Sequence, residues 1–167
     1  MMFRAVELPE GLAGRLFLHS MPGRYDAYEE ARQEIARCQI SRVVCLAPLA
    51  EVKTKSPLYA QAIEAARPSW RQEMFPVADY GIPRDCDAFW RLAQRLATGL
   101  HSDERMLIHC GAGIGRTGTL AICVLLALGV TADDAHAAVE AAGSSPETSA
   151  QQEVISWAAT QRRMGGL

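Results

Sequence analysis

The apolar positions follow two rhythms, and their alternation along the chain predicts the elements. Short, dense runs read as strands: "FRAVEL" (3–8) and "RLFLHS" (15–20) flank the glycine-containing "PEGLAG" as an antiparallel pair. "SRVVCLAP" (41–48), "WRQEMFPV" (70–77) and "ERMLIH" (104–109) read as buried strands. Between them the period lengthens. Asp26 is expected to cap a helix through Cys38, and a short helix is expected over 57–66. From Asp85 to His101, Phe89, Leu92, Ala93, Leu96, Ala97 and Leu100 form one helical stripe.

"TGTLAICVLLALG" (117–129) is apolar on nearly every side, so it reads as a central, buried helix ended by Gly129. Thr131 with Asp134, and Thr148 with Gln151, carry the spacing of capping boxes and open two further helices. The order predicts an α/β domain: a central, mixed but mostly parallel sheet of about five strands with helices on both faces. Ligands of such a sheet collect beyond the carboxyl ends of its parallel strands.

Composition narrows the class. The 167 residues, 49% hydrophobic, are enough for one domain over 1–167 with a sizeable core. A net charge of -2 disfavours a general nucleic-acid or anionic-membrane binder. No signal-like segment and no run of 18 apolar residues occurs, so a soluble, cytoplasmic chain without membrane insertion is expected. The five cysteines are odd in number, irregularly spaced and lack a C-x-x-C pair, which fits neither a disulfide framework nor a zinc site.

The candidate chemistry lies in "LIHCGAGIGRTG" (107–118), between a strand and the buried helix. Its last six residues match G-x-G-x-x-G, but a dinucleotide fingerprint belongs in the first strand–helix unit with an acidic residue about 20 positions on, and here the motif comes late and leads to another helix. The lysine of a Walker loop is absent. A plain glycine turn explains Gly118 but not a cysteine where the strand ends.

A phosphate dianion explains the rest. Backbone N–H groups of Gly111, Ala112, Gly113, Ile114, Gly115 and Arg116 can converge on one centre at a helix N-terminus, where the helix dipole also favours negative charge. The same donors stabilise a thiolate at the foot of the ring. Arg116 returns around the loop with a planar fork suited to two phosphoryl oxygens.

"HCGAGIGRTG" resembles the signature of the cysteine-dependent protein tyrosine phosphatases, His-Cys-x5-Arg followed by Ser or Thr and Gly. "FPVADYGIP" is similar to that family's acid loop and places Asp79 31 residues ahead of Cys110. "LFLHSMPG" and "RCQISRVVCLAP" extend the resemblance to compact kinase-associated and dual-specificity-like members and their bacterial relatives.

The resemblance implies the phosphotyrosine protein phosphatase fold and a metal-independent phosphatase that uses no cofactor. Cys110 would be the nucleophile, Arg116 the phosphate clamp, Asp79 the general acid, Thr117 a donor to the Cys110 sulfur and His109 a brace of the loop. "ETSAQ" (147–151) looks like the water-positioning Gln-Thr-x-x-Gln, with Glu147 in place of the first glutamine. Gln151 is equally explained by capping. Cys45 stands where some relatives carry a redox partner of the nucleophile, and is as well read as a small buried hydrophobe.

The expected partner is a phosphorylated protein or peptide, phosphotyrosine first and dual specificity second. Tyr80, Ile114 and Phe75 are candidate pocket walls. Ala112 and Ile114, where phosphoinositide phosphatases carry lysines, disfavour an inositol head group. A phosphoinositide phosphatase and a low-turnover phosphate-binding module of the same fold are the further alternatives, and nothing in the sequence signals an oligomer.

Overall fold

The computed structural model describes residues 2–66 and 68–165. Five strands form one sheet in the order β1-β2-β5-β3-β4. Strand β1 (Arg4–Ala5) is antiparallel to β2 (Arg15–His19), while β2, β5 (Arg105–His109), β3 (Arg42–Cys45) and β4 (Arg71–Met74) run parallel. This is the mixed, mostly parallel sheet that the rhythm of apolar runs predicts.

Strand residues alternate between two cores because successive side chains point to opposite faces. Leu16, Leu18, Val44, Met106 and Ile108 enter one cluster, under α4 (Cys86–His101), α5 (Gly115–Ala127), α6 (Ala132–Ala141) and α7 (Ser149–Gly165). Phe17, Val43, Cys45 and Leu107 enter the other, under α1 (Tyr28–Arg37), α2 (Leu49–Lys55) and α3 (Pro57–Glu64). Each fully buried leucine contributes about 2 kcal/mol through removal of apolar surface from water.

Helix α5 is buried at every residue from Gly115 to Leu126, as its continuous apolar run requires. It stops at Gly129, whose φ of 95° lets its N–H reach Leu126 O at 3.0 Å while Val130 N reaches Leu125 O at 3.0 Å. The cap at Thr131 forms as expected, accepting from Asp134 N, and the structure adds one at Asp85, which accepts from Ala88 N.

Three expectations change. Strand β4, read as buried over 70–77, is an edge strand over Arg71–Met74, with Arg71 exposed and the other three residues half-buried, because only β3 flanks it. Asp26 does not cap α1, whose N-cap is Ala27 without a side-chain bond. Its carboxylate instead accepts from Gly23 N at 2.8 Å and pairs with His19 Nε2 at 2.9 Å, closing the turn after β2. Helix α2 is an addition. Its seven residues bury only Val52 and show too short a stripe to register as a helical period.

Candidate active site

The parallel strands β2, β3, β4 and β5 end together, and the residues that follow them build the site. Cys110 follows β5 directly and is 2% exposed. The chain then turns through Gly113, at φ 76°, where a side chain would strike the backbone of His19 and Ser20. That turn aims Gly113 N at Cys110 Sγ, 3.3 Å away.

The Gly113 carbonyl faces the other way and is held there. It accepts from Arg4 Nη2 at 2.7 Å and from Ser144 Oγ at 2.6 Å, while Arg4 Nη1 reaches Ala142 O at 2.6 Å and Ser144 Oγ at 2.9 Å. The N–H groups of Ala112, Ile114, Gly115 and Arg116 make no hydrogen bond within the described residues. Arg116 and Thr117 lie in the first turn of α5, which starts at Gly115, two residues earlier than the sequence rhythm places its start.

Arg116 is 4% exposed and is held through both terminal nitrogens. It donates from Nη1 to Glu51 Oε1 and from Nη2 to Glu51 Oε2, both at 2.9 Å, and from Nη1 to Val77 O at 2.8 Å. Its Nη2 also reaches Asp79 Oδ1 at 3.2 Å. Burial disfavours the guanidinium charge, but Glu51, then Cys110 and Asp79, outweigh it and hold the pKa above its ordinary value. For Glu51, burial works toward the neutral form, and the hydrogen bonds and charges of Arg116 and Lys55 overcome it, leaving the carboxyl below its ordinary range.

Asp79 arrives from the loop after β4. Gly81 N closes a turn onto Ala78 O at 2.8 Å, Tyr80 takes a left-handed φ of 58°, and Tyr80 N donates to Asp79 Oδ1 at 3.0 Å. The structure thus brings Asp79 and Arg116 together across 37 residues. Tyr80 and Ile114 stand exposed at the rim. Phe75, a candidate wall, turns inward instead and packs edge-on against Phe89, 5.6 Å between centroids.

His109 is buried, and its hydrogen bonds set its tautomer. Nδ1 donates to Cys110 O at 3.0 Å, since a carbonyl can only accept. Tyr59 OH, which accepts from Gln72 Nε2 at 2.9 Å, donates to His109 Nε2 at 2.7 Å. Burial pushes the His109 pKa down to about 4.

Thr117 is a difference from expectation. Its hydroxyl is buried without a hydrogen-bond partner among the described residues, and the Cys110 sulfur takes its contact from Gly113 N instead.

Gln151 caps and braces at once. Its N–H donates to Thr148 Oγ1 at 3.1 Å, its Oε1 accepts from Glu147 N at 2.7 Å, and its Nε2 reaches across to Gly81 O at 3.1 Å in the Asp79 loop. The Glu147 carboxylate packs against Gly115 at the start of α5. Cys45 pairs in register with His109, and its Sγ donates to Ala47 O at 3.4 Å. Burial pushes its thiol up to about 12, and all five cysteines are free.

Glu51, Arg4, Ser144 and Tyr59 escape a reading of the sequence. Glu51 and Lys55, four apart on a polar helix, look like an ordinary solvated pair. Arg4 stands 106 residues from Cys110 on an edge strand, with no motif around it. Among the described residues no three His, Cys, Asp or Glu side chains gather as a potential metal site, and no helix is long and apolar enough to cross a membrane.

Comparison with known proteins follows the same outline. A 53-residue stretch is 42% identical to cyclin-dependent kinase inhibitor 3 of Rattus norvegicus, covering 32% of this chain and 24% of that protein's length. The Mus musculus protein of the same name is 43% identical over 53 residues, with the same coverage. The chain therefore spans only about a quarter of the length of these curated relatives where it matches them.

Among solved structures, kinase associated phosphatase with its catalytic-site cysteine changed to serine superposes with a TM-score of 0.79 at 19% identity, covering 97% of this chain and 94% of the other. Tk-PTP in its active form gives 0.71 at 21% identity, covering 95% and 97%. PTPMT1 gives 0.73 at 15% identity, covering 98% of each. These likenesses establish the dual-specificity phosphatase fold. The family model described as "PTP-SAK: Swiss Army Knife protein, DSP-PTPase phosphatase domain" matches residues 14–164, and this chain belongs to that family.

Proposed function

We propose that the protein hydrolyses phosphomonoesters of phosphotyrosine-containing proteins through a cysteinyl-phosphate, with Cys110, Arg116 and Asp79 as its catalytic residues. The observation that carries this reading is the meeting of Asp79 with Arg116 at 3.2 Å, at the mouth of the loop that starts with Cys110. A glycine turn built only for packing gives no reason for an acid to be delivered there from 31 residues upstream.

In the first step the Cys110 thiolate attacks phosphorus, the phosphorus–oxygen bond to the leaving group breaks, and Asp79 gives that oxygen its proton. In the second, Asp79 takes a proton from water, whose oxygen attacks phosphorus and releases inorganic phosphate and the thiolate. The unpartnered amides of the loop and the Arg116 fork stabilise the phosphoryl oxygens, which is the main demand of this chemistry. Phosphate binding at Nη2 displaces Asp79 from Arg116 and frees its carboxyl for the leaving oxygen.

His109 stays neutral at physiological pH and acts as a brace. In this reading Glu147, whose carboxylate lies against Gly115, orients the hydrolytic water, and support for it is that the Gln151 carboxamide is committed to Glu147 N and Gly81 O. Dual specificity is the second reading, favoured by a rim in which Asp79 keeps half of its side chain exposed, so that shorter phosphoserine and phosphothreonine side chains can also approach.

The test is turnover of p-nitrophenyl phosphate and of phosphotyrosine, phosphoserine and phosphothreonine peptides, with rapid mixing to detect a burst of cysteinyl-phosphate. Cys110→Ser is expected to abolish turnover. Asp79→Asn is expected to slow poor leaving groups far more than activated aryl phosphates. A phosphate-binding module would show binding without a burst, and equal slowing of both esters by Asp79→Asn would remove Asp79 as the acid.

A further inference from the structure

Among the described residues, Arg24 is a cation at the site without a charged partner. Arg24 lies in the 21–27 segment after β2, which is tied to the 110–116 loop because Met21 N donates to Gly111 O at 3.1 Å. Arg24 Nη1 and Lys55 Nζ stand 2.9 and 3.0 Å from the point where a side chain at Gly111 would begin. Glu51 Oε2 is the third group there, at 2.7 Å.

Glu51 does not neutralise all of this charge. Its Oε2 already accepts from Arg116 Nη2 and from Lys55 Nζ, each at 2.9 Å. Asp79 Oδ2 lies 3.8 Å from Lys55 and leans on Arg116. Among the described residues no carboxylate comes within the 4.0 Å of an ion pair with Arg24, whose guanidinium lies over the exposed Tyr25 ring at 4.6 Å. A partly exposed guanidinium with its fork unspent, beside a site for a dianion, is suited to a second anionic group.

We infer that Arg24, with Lys55 beside it, forms a second anion subsite that takes a carboxylate or a further phosphoryl group on a residue neighbouring the phosphorylated one in the same peptide. The inference rests on the phosphatase reading above and names the sequence context of its substrate.

The arrangement favours a peptide because the charge is one-sided. Ala112 and Ile114, the exposed side chains of the loop itself, are uncharged. Tyr25, Tyr80 and Ile114 give the rim apolar surface against which an extended chain can lie. An inositol ring with phosphates on several carbons would need cations on more than the Gly111 side.

The experiment compares kcat/KM for one phosphotyrosine peptide in three forms: neutral flanks, glutamate beside the phosphotyrosine, and phosphoserine beside it. Inositol bisphosphate and p-nitrophenyl phosphate are run in parallel. The wild-type protein is expected to prefer an anionic flank by about tenfold, mainly through KM, and the preference should shrink as salt is raised. Arg24→Gln should bring the ratio to about one, and Arg24→Lys should retain most of it. The glutamate and phosphoserine arms tell which anion the subsite takes.

Equal turnover of all three peptides, or a preference that survives Arg24→Gln, overturns the subsite and leaves the phosphatase reading standing. A higher kcat/KM for inositol bisphosphate than for every peptide overturns the peptide assignment. Absence of turnover on every substrate, p-nitrophenyl phosphate included, overturns the reading on which the subsite rests.

Discussion

Arg116 and Glu51 meet fork to fork, Nη1 on Oε1 and Nη2 on Oε2, both at 2.9 Å. The pair fixes the plane of the guanidinium, and it does so from α2, the helix that the apolar rhythm does not announce. A planar fork held at two points keeps its remaining donors aimed, which a single contact would not achieve. Glu51 is therefore a positioning residue.

Glu51→Gln is expected to lower kcat/KM about tenfold or more, and to reduce unfolding stability by about 2–4 kcal/mol, because Arg116 keeps a nearly buried charge with its main partner gone. Steady-state kinetics and urea unfolding check the two effects. A variant with wild-type kinetics would show that Val77 O and Asp79 orient Arg116 by themselves.

Arg4 holds the Gly113 peptide from outside. Arg4→Met leaves the Gly113 carbonyl with Ser144 alone and frees the peptide to rotate its N–H away from Cys110. The expected result is a fall of about tenfold in kcat and weaker inhibition by inorganic phosphate, with a stability loss of about 1–3 kcal/mol. A loss of stability without either kinetic change would make Arg4 purely structural.

Gly113 and Gly129 both have positive φ, but only one is crowded. An alanine at 129 meets open space, so its cost is the left-handed backbone alone, about 1–2 kcal/mol. An alanine at 113 would also press on Ser20 N, 2.6 Å from its Cβ, which lies on backbone that cannot yield cheaply. Thermal unfolding and p-nitrophenyl phosphate turnover should separate them: Gly129→Ala keeps its activity, and Gly113→Ala loses activity and several kcal/mol.

The low pKa of His109 makes folding sensitive to mild acid. Its value falls from about 6.5 in the unfolded chain to about 4 in the fold, chiefly through burial. The unfolded state therefore binds the extra proton, and stability rises with pH between about 4 and 6.5, by up to about 1.4 kcal/mol per pH unit. Urea midpoints across this window should show the slope in the wild-type protein and lose it in His109→Asn. Glu34 acts at lower pH: hydrogen bonding from Arg37 holds it at about 2, so its contribution is present above about 4.5 and is lost as pH falls toward 2.

The sheet, the buried α5 and the candidate nucleophile could be read from the order of residues alone. Strand and helix periods are local, and a Cys-x5-Arg loop is one contiguous stretch whose chemistry depends on its own backbone. Asp79 was legible only through the resemblance of "FPVADYGIP" to the family's acid loop, since the turn alone reads as an ordinary one. Tertiary structure alone decided what holds these groups. Glu51 reaches Arg116 because β3 and β5 are neighbours in the sheet, Arg4 reaches Gly113 because β1 is laid against β2, and Tyr59 reaches His109 through the core beneath. Each is a hydrogen bond over 50 or more residues, and such bonds carry no period for a sequence to display. Gln151 shows both kinds: its backbone bond to Thr148 is a local cap legible from spacing, and its bond to Gly81 exists only because α7 folds back over the Asp79 loop.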